Sequence, residues 1–330
     1  MKTQKRRAKI SICIPNYNRA NNLFEVLMDC RHQTVQPYEI IIQDDSTDGN
    51  EMLKIDHLVK GFPKVKFLRN KVNVGLAKNV NLVIKRATGE HIVIVNNDDR
   101  LSPFYIEEIG EFISKYPEFN VYTTNACAIE DSGNVRGDYR IFYQDRQIDK
   151  VNGIKYLWKK YFINLISVSG ATIYKKNYLS KHPFNSEYGN ESDLDNALHI
   201  LATENIMYVD TPIYYVRMNS SNTSIGLRSS VERLDKYIAH CIAIYTAYSK
   251  HFKNIPLYLI KPKSIYFLQL TAKYHYGFAK TLKLLKLDNK IDMPLILISI
   301  LMYIYQYLKA RALFHMYKHS FKRYFPRDYS

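Results

Sequence analysis

The first hundred residues repeat one pattern: a short β-branched run, a polar cluster behind it, then a stretch with helical spacing. Lys9-Ile-Ser-Ile-Cys-Ile14, Glu39-Ile-Ile-Ile-Gln43, Val65-Lys-Phe-Leu-Arg69 and His91-Ile-Val-Ile-Val95 read as strands. Helices are expected over about 21–33 and 76–87. A third opens at Pro103, with Glu107 and Glu108 near its positive end. This alternation predicts an α/β fold with a mostly parallel central sheet, and such sheets bind ligands beyond the carboxyl ends of their strands. Three polar clusters fall at that edge: Pro15-Asn-Tyr-Asn-Arg19, Asp44-Asp45-Ser-Thr-Asp48-Gly49 and Asn96-Asn97-Asp98-Asp99. No G-x-G-x-x-G follows the first strand and no G-x-x-x-x-G-K is present, so neither a dinucleotide fingerprint nor a Walker loop is supported.

Neighbouring carboxylates repel unless a cation or ligand donors sit between them. Asp98 and Asp99 follow an apolar strand that would aim them outward. Mg2+ or Mn2+ held by few carboxylates plus substrate phosphates suits such a loop. The alternative is a plain turn that caps the next helix.

The 330 residues carry 47 Lys and Arg against 31 Asp and Glu, a formal net charge of +16. From Arg228 onward there are 18 basic and 5 acidic residues with 13 tyrosines, so nearly all the excess lies in the last third. The polar stretch Asn219-Ser-Ser-Asn-Thr-Ser224 marks a boundary. Two regions are expected: 1–225, and a basic, Tyr-rich helical region over 226–330. Within the latter, Met293 to Leu308 is the most apolar stretch, yet shorter than the ~20 residues of a spanning helix. Lys309, Arg311, Lys318, Lys322, Arg323 and Arg327 follow it. An anchor on an anionic membrane surface fits this order; a helix buried in a C-terminal bundle is the alternative. No nucleic-acid-binding motif is present. The basic run Lys2 to Lys9 precedes an apolar stretch that Pro15 stops too early for a signal peptide. Cys13, Cys30, Cys127 and Cys241 contain no C-x-x-C pair, and a cytoplasmic protein with reduced thiols is expected.

Taken in order, Ile12 to Arg19, Glu39 to Gly49, Asn73-Val-Gly-Leu-Ala-Lys-Asn79, Ala87-Thr-Gly-Glu-His-Ile92 and Asn96 to Asp99 resemble the successive blocks of family 2 glycosyltransferases. The resemblance covers about residues 8–225. It implies a GT-A fold, a nucleotide-binding α/β sandwich with a donor half (about 8–130) and an acceptor half (131–225). Pro15, Asn16 and Tyr17 match the loop that holds the nucleobase, Arg19 behind them is a further donor-binding candidate, and Asp44 or Asp45 would accept the base N–H. Asn73 and Lys78 match the segment near ribose and phosphates. Asn96, Asn97 and Asp98 stand at the D-x-D motif. Asn96 replaces its first acid and would bond ribose, Asp98 is the better metal ligand, and Asp99 supports it. Gly189-Asn-Glu-Ser-Asp-Leu194 is similar to the acidic block that supplies the base, which places Glu191 in that role with Asp193 beside it. First-turn acids favoured by the helix dipole are the structural alternative. Tyr215-Val-Arg217-Met-Asn219 resembles the block near the diphosphate, with Arg217 as anion contact and Asn219 in the place of a His.

Together these imply an inverting glycosyl transfer from a nucleotide-diphosphate sugar, assisted by Mn2+ or Mg2+, to a saccharide acceptor. The acceptor would be lipid-linked, at the inner face of a bacterial membrane, in polysaccharide or lipopolysaccharide assembly. A sugar nucleotidyltransferase and a non-catalytic adaptor with a degenerate fold are the rival readings. Trp158 lies in a helical pattern, and His182 and His199 read as packing or surface residues.

Overall fold

The computed structural model describes residues 7–138, 144–150 and 169–217, with His240, Ala243, Ile244, Ala247 and Tyr248. The chain divides into two compact units, 1–150 with 163–218, and 151–162 with 219–330. The described elements all lie in the first. Of the expected C-terminal region over 226–330 only those five residues are described, and Trp158 and Asn219 fall outside the described residues.

In chain order the elements are β1 Ile10–Asn16, α1 Ala20–Arg31, β2 Glu39–Asp44, α2 Gly49–Lys60, β3 Val65–Arg69, α3 Leu76–Arg86, β4 His91–Ile94 and β5 Arg100–Leu101. They continue with α4 Tyr105–Lys115, β6 Val121–Ile129, β7 Val135–Asp138, β8 Arg146–Ile148, β9 Thr172–Lys175, α5 Lys176–Lys181, α6 Ser192–Thr203 and β10 Ile206–Arg217. The strands form one sheet in the order β3-β2-β1-β4-β9-β6-β10-β5, with β7 on β6 and β8 on β10.

The expected parallel sheet holds through β3-β2-β1-β4. Every residue of β1 is buried, as a central strand covered on both faces requires. Farther on the sheet is mixed rather than mostly parallel. β9 starts at the edge where β4 ends, so it runs back antiparallel to β4 and β6, while β6 and β10 pair in parallel. The chain leaves β1 toward β2 on one side and β4 lies on the other. The crevice between the β1 and β4 loops is therefore a topological switch point.

Helix α2 was not expected from the pattern, because Ile55 is its only buried residue. Its signal is a cap: Asp48 accepts a hydrogen bond from the Glu51 backbone N–H at 2.9 Å. Glu51 in turn accepts from the Ala20 N–H at 2.8 Å and so caps the start of α1.

The opposite edge of the sheet is held by Glu39. Its carboxylate accepts from Ser11 Oγ at 2.7 Å, the Thr88 N–H at 2.5 Å, Thr88 Oγ1 at 2.9 Å and Lys66 Nζ at 2.5 Å. Burial works against the charge, but these bonds outweigh it and hold the carboxyl down at about 2. A Cβ at Gly89 would lie 2.5 Å from Ser11 Oγ and 2.8 Å from the Lys9 carbonyl, so the Thr88–Gly89 turn needs glycine for close approach.

Candidate active site

The first two polar clusters begin inside the strands: β1 runs two residues and β2 one residue past the expected ends. Pro15 and Asn16 pair with Gln43 and Asp44 inside the parallel ladder. From there a chain of amides and carboxylates crosses the edge: Asn97 Nδ2 donates to Asn16 Oδ1 at 2.5 Å, and Asn16 Nδ2 to Asp44 Oδ1 at 2.9 Å. The loops after β1, β2 and β4 are thereby joined in one place.

Asp44 is fully buried. It accepts from Asn16, from Ser46 Oγ at 2.5 Å and from Arg69 Nε at 2.6 Å. A buried carboxylate needs that degree of pairing. Asp45 is spent on the start of α3. Its oxygens accept from the Val74 and Gly75 N–H groups, both at 2.9 Å, and from Asn70 Nδ2 at 2.8 Å. It fills the place where a helix N-terminus attracts an anion. Both acids are occupied within the protein, and Asp45 lies against the segment containing Asn73, whose Nδ2 bonds the Asp45 carbonyl at 3.2 Å.

Asn18, at φ 48°, ties the first two loops. Its Oδ1 accepts from the Thr47 and Asp48 N–H groups at 2.9 and 3.0 Å. Tyr17 is left about half exposed, its hydroxyl 3.2 Å from Thr47 Oγ1. Lys78 is exposed in the first turn of α3, where a cation opposes the helix dipole.

In the β4 loop the two acids differ. Asp98 is partly exposed and ion-paired with Arg19. Asp99 is buried: Oδ2 accepts from Tyr214 Oη at 2.6 Å and Asn96 Nδ2 at 3.2 Å, and Oδ1 from the Arg217 N–H at 3.0 Å. Burial first, then the Asp98 charge, raises its carboxyl to about 7, against the pull of those donors. Among the described residues no three His, Cys, Asp or Glu gather as a metal cluster. The Arg217 guanidinium, largely buried, pairs with Glu25 of α1 and faces Asp131 at 3.8 Å.

Glu191 is buried at the N-cap of α6, after a kink at Gly189 (φ 54°). Asp193 lies two residues on, in the first turn of α6, its Oδ1 accepting from the Leu194 N–H at 2.7 Å. Asn81 of α3 clasps the backbone of Phe184 with bonds of 2.8 and 2.9 Å. The turn that ends at Glu191 is thus fastened to α3, the helix whose start holds the Asp45 carboxylate. The sequence reading missed Asn18, Arg69, Asn70 and Tyr214. Of these, Asn18 lies inside the first polar cluster and Tyr214 beside the Tyr215-Val-Arg217 block, whereas Arg69 and Asn70 had no such hint.

Residues 11–181 match the family described as Glycosyl transferase family 2, just over half of the chain. The chain belongs to that family. A GalNAc(5)-diNAcBac-PP-undecaprenol beta-1,3-glucosyltransferase of Campylobacter jejuni is 26% identical over 190 residues, 56% of this chain and 58% of that protein. A chondroitin synthase of Pasteurella multocida is 31% identical over 131 residues, 39% of this chain and 14% of that one. The chain thus spans less than two thirds of these relatives. The solved structure of S. aureus TarS 1–349 in complex with UDP-GlcNAc superposes with a TM-score of 0.59 at 18% identity, covering 90% of this chain and 81% of that one. At that identity it shows a shared fold, the GT-A fold of this glycosyltransferase family.

Proposed function

We propose that this family 2 protein transfers a glycosyl group from a nucleoside-diphosphate sugar to a hydroxyl of a saccharide acceptor. The observation that carries the reading is the joining of the loops after β1, β2 and β4 through Asn97, Asn16 and Asp44 at the switch point of the sheet. The relative bound to UDP-GlcNAc supports a nucleotide-sugar donor. The Campylobacter relative, whose name carries an undecaprenol diphosphate, supports a lipid-linked acceptor. A bacterial surface polysaccharide or lipopolysaccharide would be the product, made peripherally at the inner face of the membrane.

Tyr17 offers an open aromatic face to the base, and Asn73 and Lys78 stand at the segment toward ribose and phosphates. Asn96 and Asn97 add neutral hydrogen-bonding groups. Asp44 and Asp45 shape the base pocket rather than reach into it. A divalent cation fits the β4 loop through Asp98, since Mg2+ and Mn2+ accept one or two carboxylates and complete their shell with phosphate oxygens. Bound there, the cation would neutralise charge developing on the departing diphosphate. Asp99, whose oxygens already take protein donors, holds the loop. Arg19 and Arg217 would exchange Asp98 and Glu25 for the more highly charged diphosphate.

Glu191 would take the proton of the acceptor hydroxyl. The acceptor oxygen then forms its bond to the anomeric carbon as the bond to the diphosphate oxygen breaks, the diphosphate leaving with the electron pair. In-line displacement inverts that carbon. Asp193 would orient the acceptor beside the base.

A thermal-shift panel of nucleoside diphosphates with and without Mn2+ tests the donor. A ligand at a hundred times its Kd stabilises by about 2.7 kcal/mol, so one base should raise the melting temperature clearly above the others. Glu191→Gln should keep that shift and lose transfer by about a hundredfold or more. No shift with any nucleotide would overturn the donor site, and full transfer by Glu191→Gln would overturn the base.

A further inference from the structure

Tyr214 lies in β10, far along the chain from the β4 loop, yet its hydroxyl is the atom that closes the loop. It donates to Asp99 Oδ2 at 2.6 Å and accepts from the Asn96 backbone N–H at 3.4 Å. The Asp99 N–H returns to the Asn96 carbonyl at 3.3 Å, and Asn96 Nδ2 reaches Asp99 Oδ2 at 3.2 Å. One buried oxygen therefore bridges both ends of the turn that carries Asn97 and Asp98.

The ring that carries this oxygen has almost no freedom. Tyr214 is fully buried, and a Cβ at Gly170 would lie 1.9 Å from its Cε2. Tyr105 donates its hydroxyl to the Gly170 carbonyl at 2.6 Å, which fixes the backbone against which the ring rests. The next residues of β10 add the Arg217 N–H on the other Asp99 oxygen at 3.0 Å. Asp99 is thus held from two directions by β10, and Asp98 is the acid left at the surface of the turn.

We propose that Tyr214 is a positioning residue of the donor site. By pinning Asp99 inside the fold it makes Asp98 the single carboxylate of the turn that meets the cation-bound diphosphate. This rests on the donor reading above. The geometry asks for it physically. A cation carboxylate must be held within a fraction of an ångström, and partners that orient ligands from behind typically matter 10–100-fold to metal affinity.

The test is calorimetric titration of UDP, GDP, ADP, CDP and dTDP into the full chain, with and without Mn2+, followed by variants with whichever nucleotide the wild type binds best. Tyr214→Phe keeps the ring on Gly170 and removes only the bridging oxygen. It should lose roughly tenfold or more of the Mn2+-dependent gain in affinity, with affinity in the absence of metal changed by less than about twofold. Asp98→Asn should abolish the Mn2+ gain, whereas Asp99→Asn, which can still accept from Tyr214, should keep most of it. That comparison decides the case even where Tyr214→Phe fails to fold. A Tyr214→Phe protein with a lower melting temperature but a wild-type Mn2+ gain would overturn the proposal, as would an Asp99→Asn protein as metal-blind as Asp98→Asn. A wild type that binds none of the nucleotides with Mn2+ would remove the donor reading itself, and this inference with it.

Discussion

His91 opens β4 with both ring nitrogens buried and unpartnered, beside the Tyr122 ring at 6.3 Å. Burial first, then the Lys175 charge, lowers its pKa to about 4 from 6.5. The unfolded chain therefore takes up this proton before the folded one, and stability falls as pH drops from 6.5 to 4, by on the order of 2–3 kcal/mol. His91→Phe should flatten that slope and stabilise the protein near pH 5, read from urea unfolding across pH. Glu39 acts in a lower window. With a folded pKa of about 2 against 4.5, its contribution is complete above pH 4.5 and lost between there and 2. The charges of His91 and Glu39 were readable in the sequence, but not their partners. Ser11, Lys66 and Thr88 come to Glu39 only through the register of the first three strands and the turn before β4.

At the scale of elements, β1, β2, β4 and the helices from Ala20 and Leu76 were legible because each buries an apolar run or stripe. Helix α2 was not. With a single buried side chain it is held by the Asp48 cap and by Glu51 reaching to α1, both polar signals. The reversal at β9 was also hidden, because strand direction depends on which edge the chain re-enters rather than on composition. The turn before β4 packs closely against β1. Gly89→Ala should destabilise by about 1–3 kcal/mol through the clash with Ser11 and Lys9, measured as a shift of the urea midpoint with unchanged slope.

For the whole molecule, charge is the broadest feature, with most of the net +16 beyond residue 228. Among the described residues no helix is long and apolar enough to cross a membrane. The proposed membrane contact is one of surface attraction by the basic residues beyond 228, and it should be salt-dependent. Flotation with vesicles rich in anionic lipid should recover the full chain at low salt and lose it as salt rises. A chain ending near residue 290 should float markedly less. Equal recovery of the two would remove the C-terminal region from that role.

The sequence by itself determined where the early strands run, that polar loops gather at their carboxyl edge, and which family those loops resemble. These are local properties, set by periodicity and by residues a few positions apart. Only the tertiary structure decided which acids remain open to a ligand. Asp44 and Asp45 are consumed by Arg69, Asn70 and the start of α3. Asp98 is paired with Arg19, and Asp99 is drawn inward by a tyrosine 115 positions away. Such choices follow from strand order and register, which bring distant donors to a buried carboxylate that cannot remain without them.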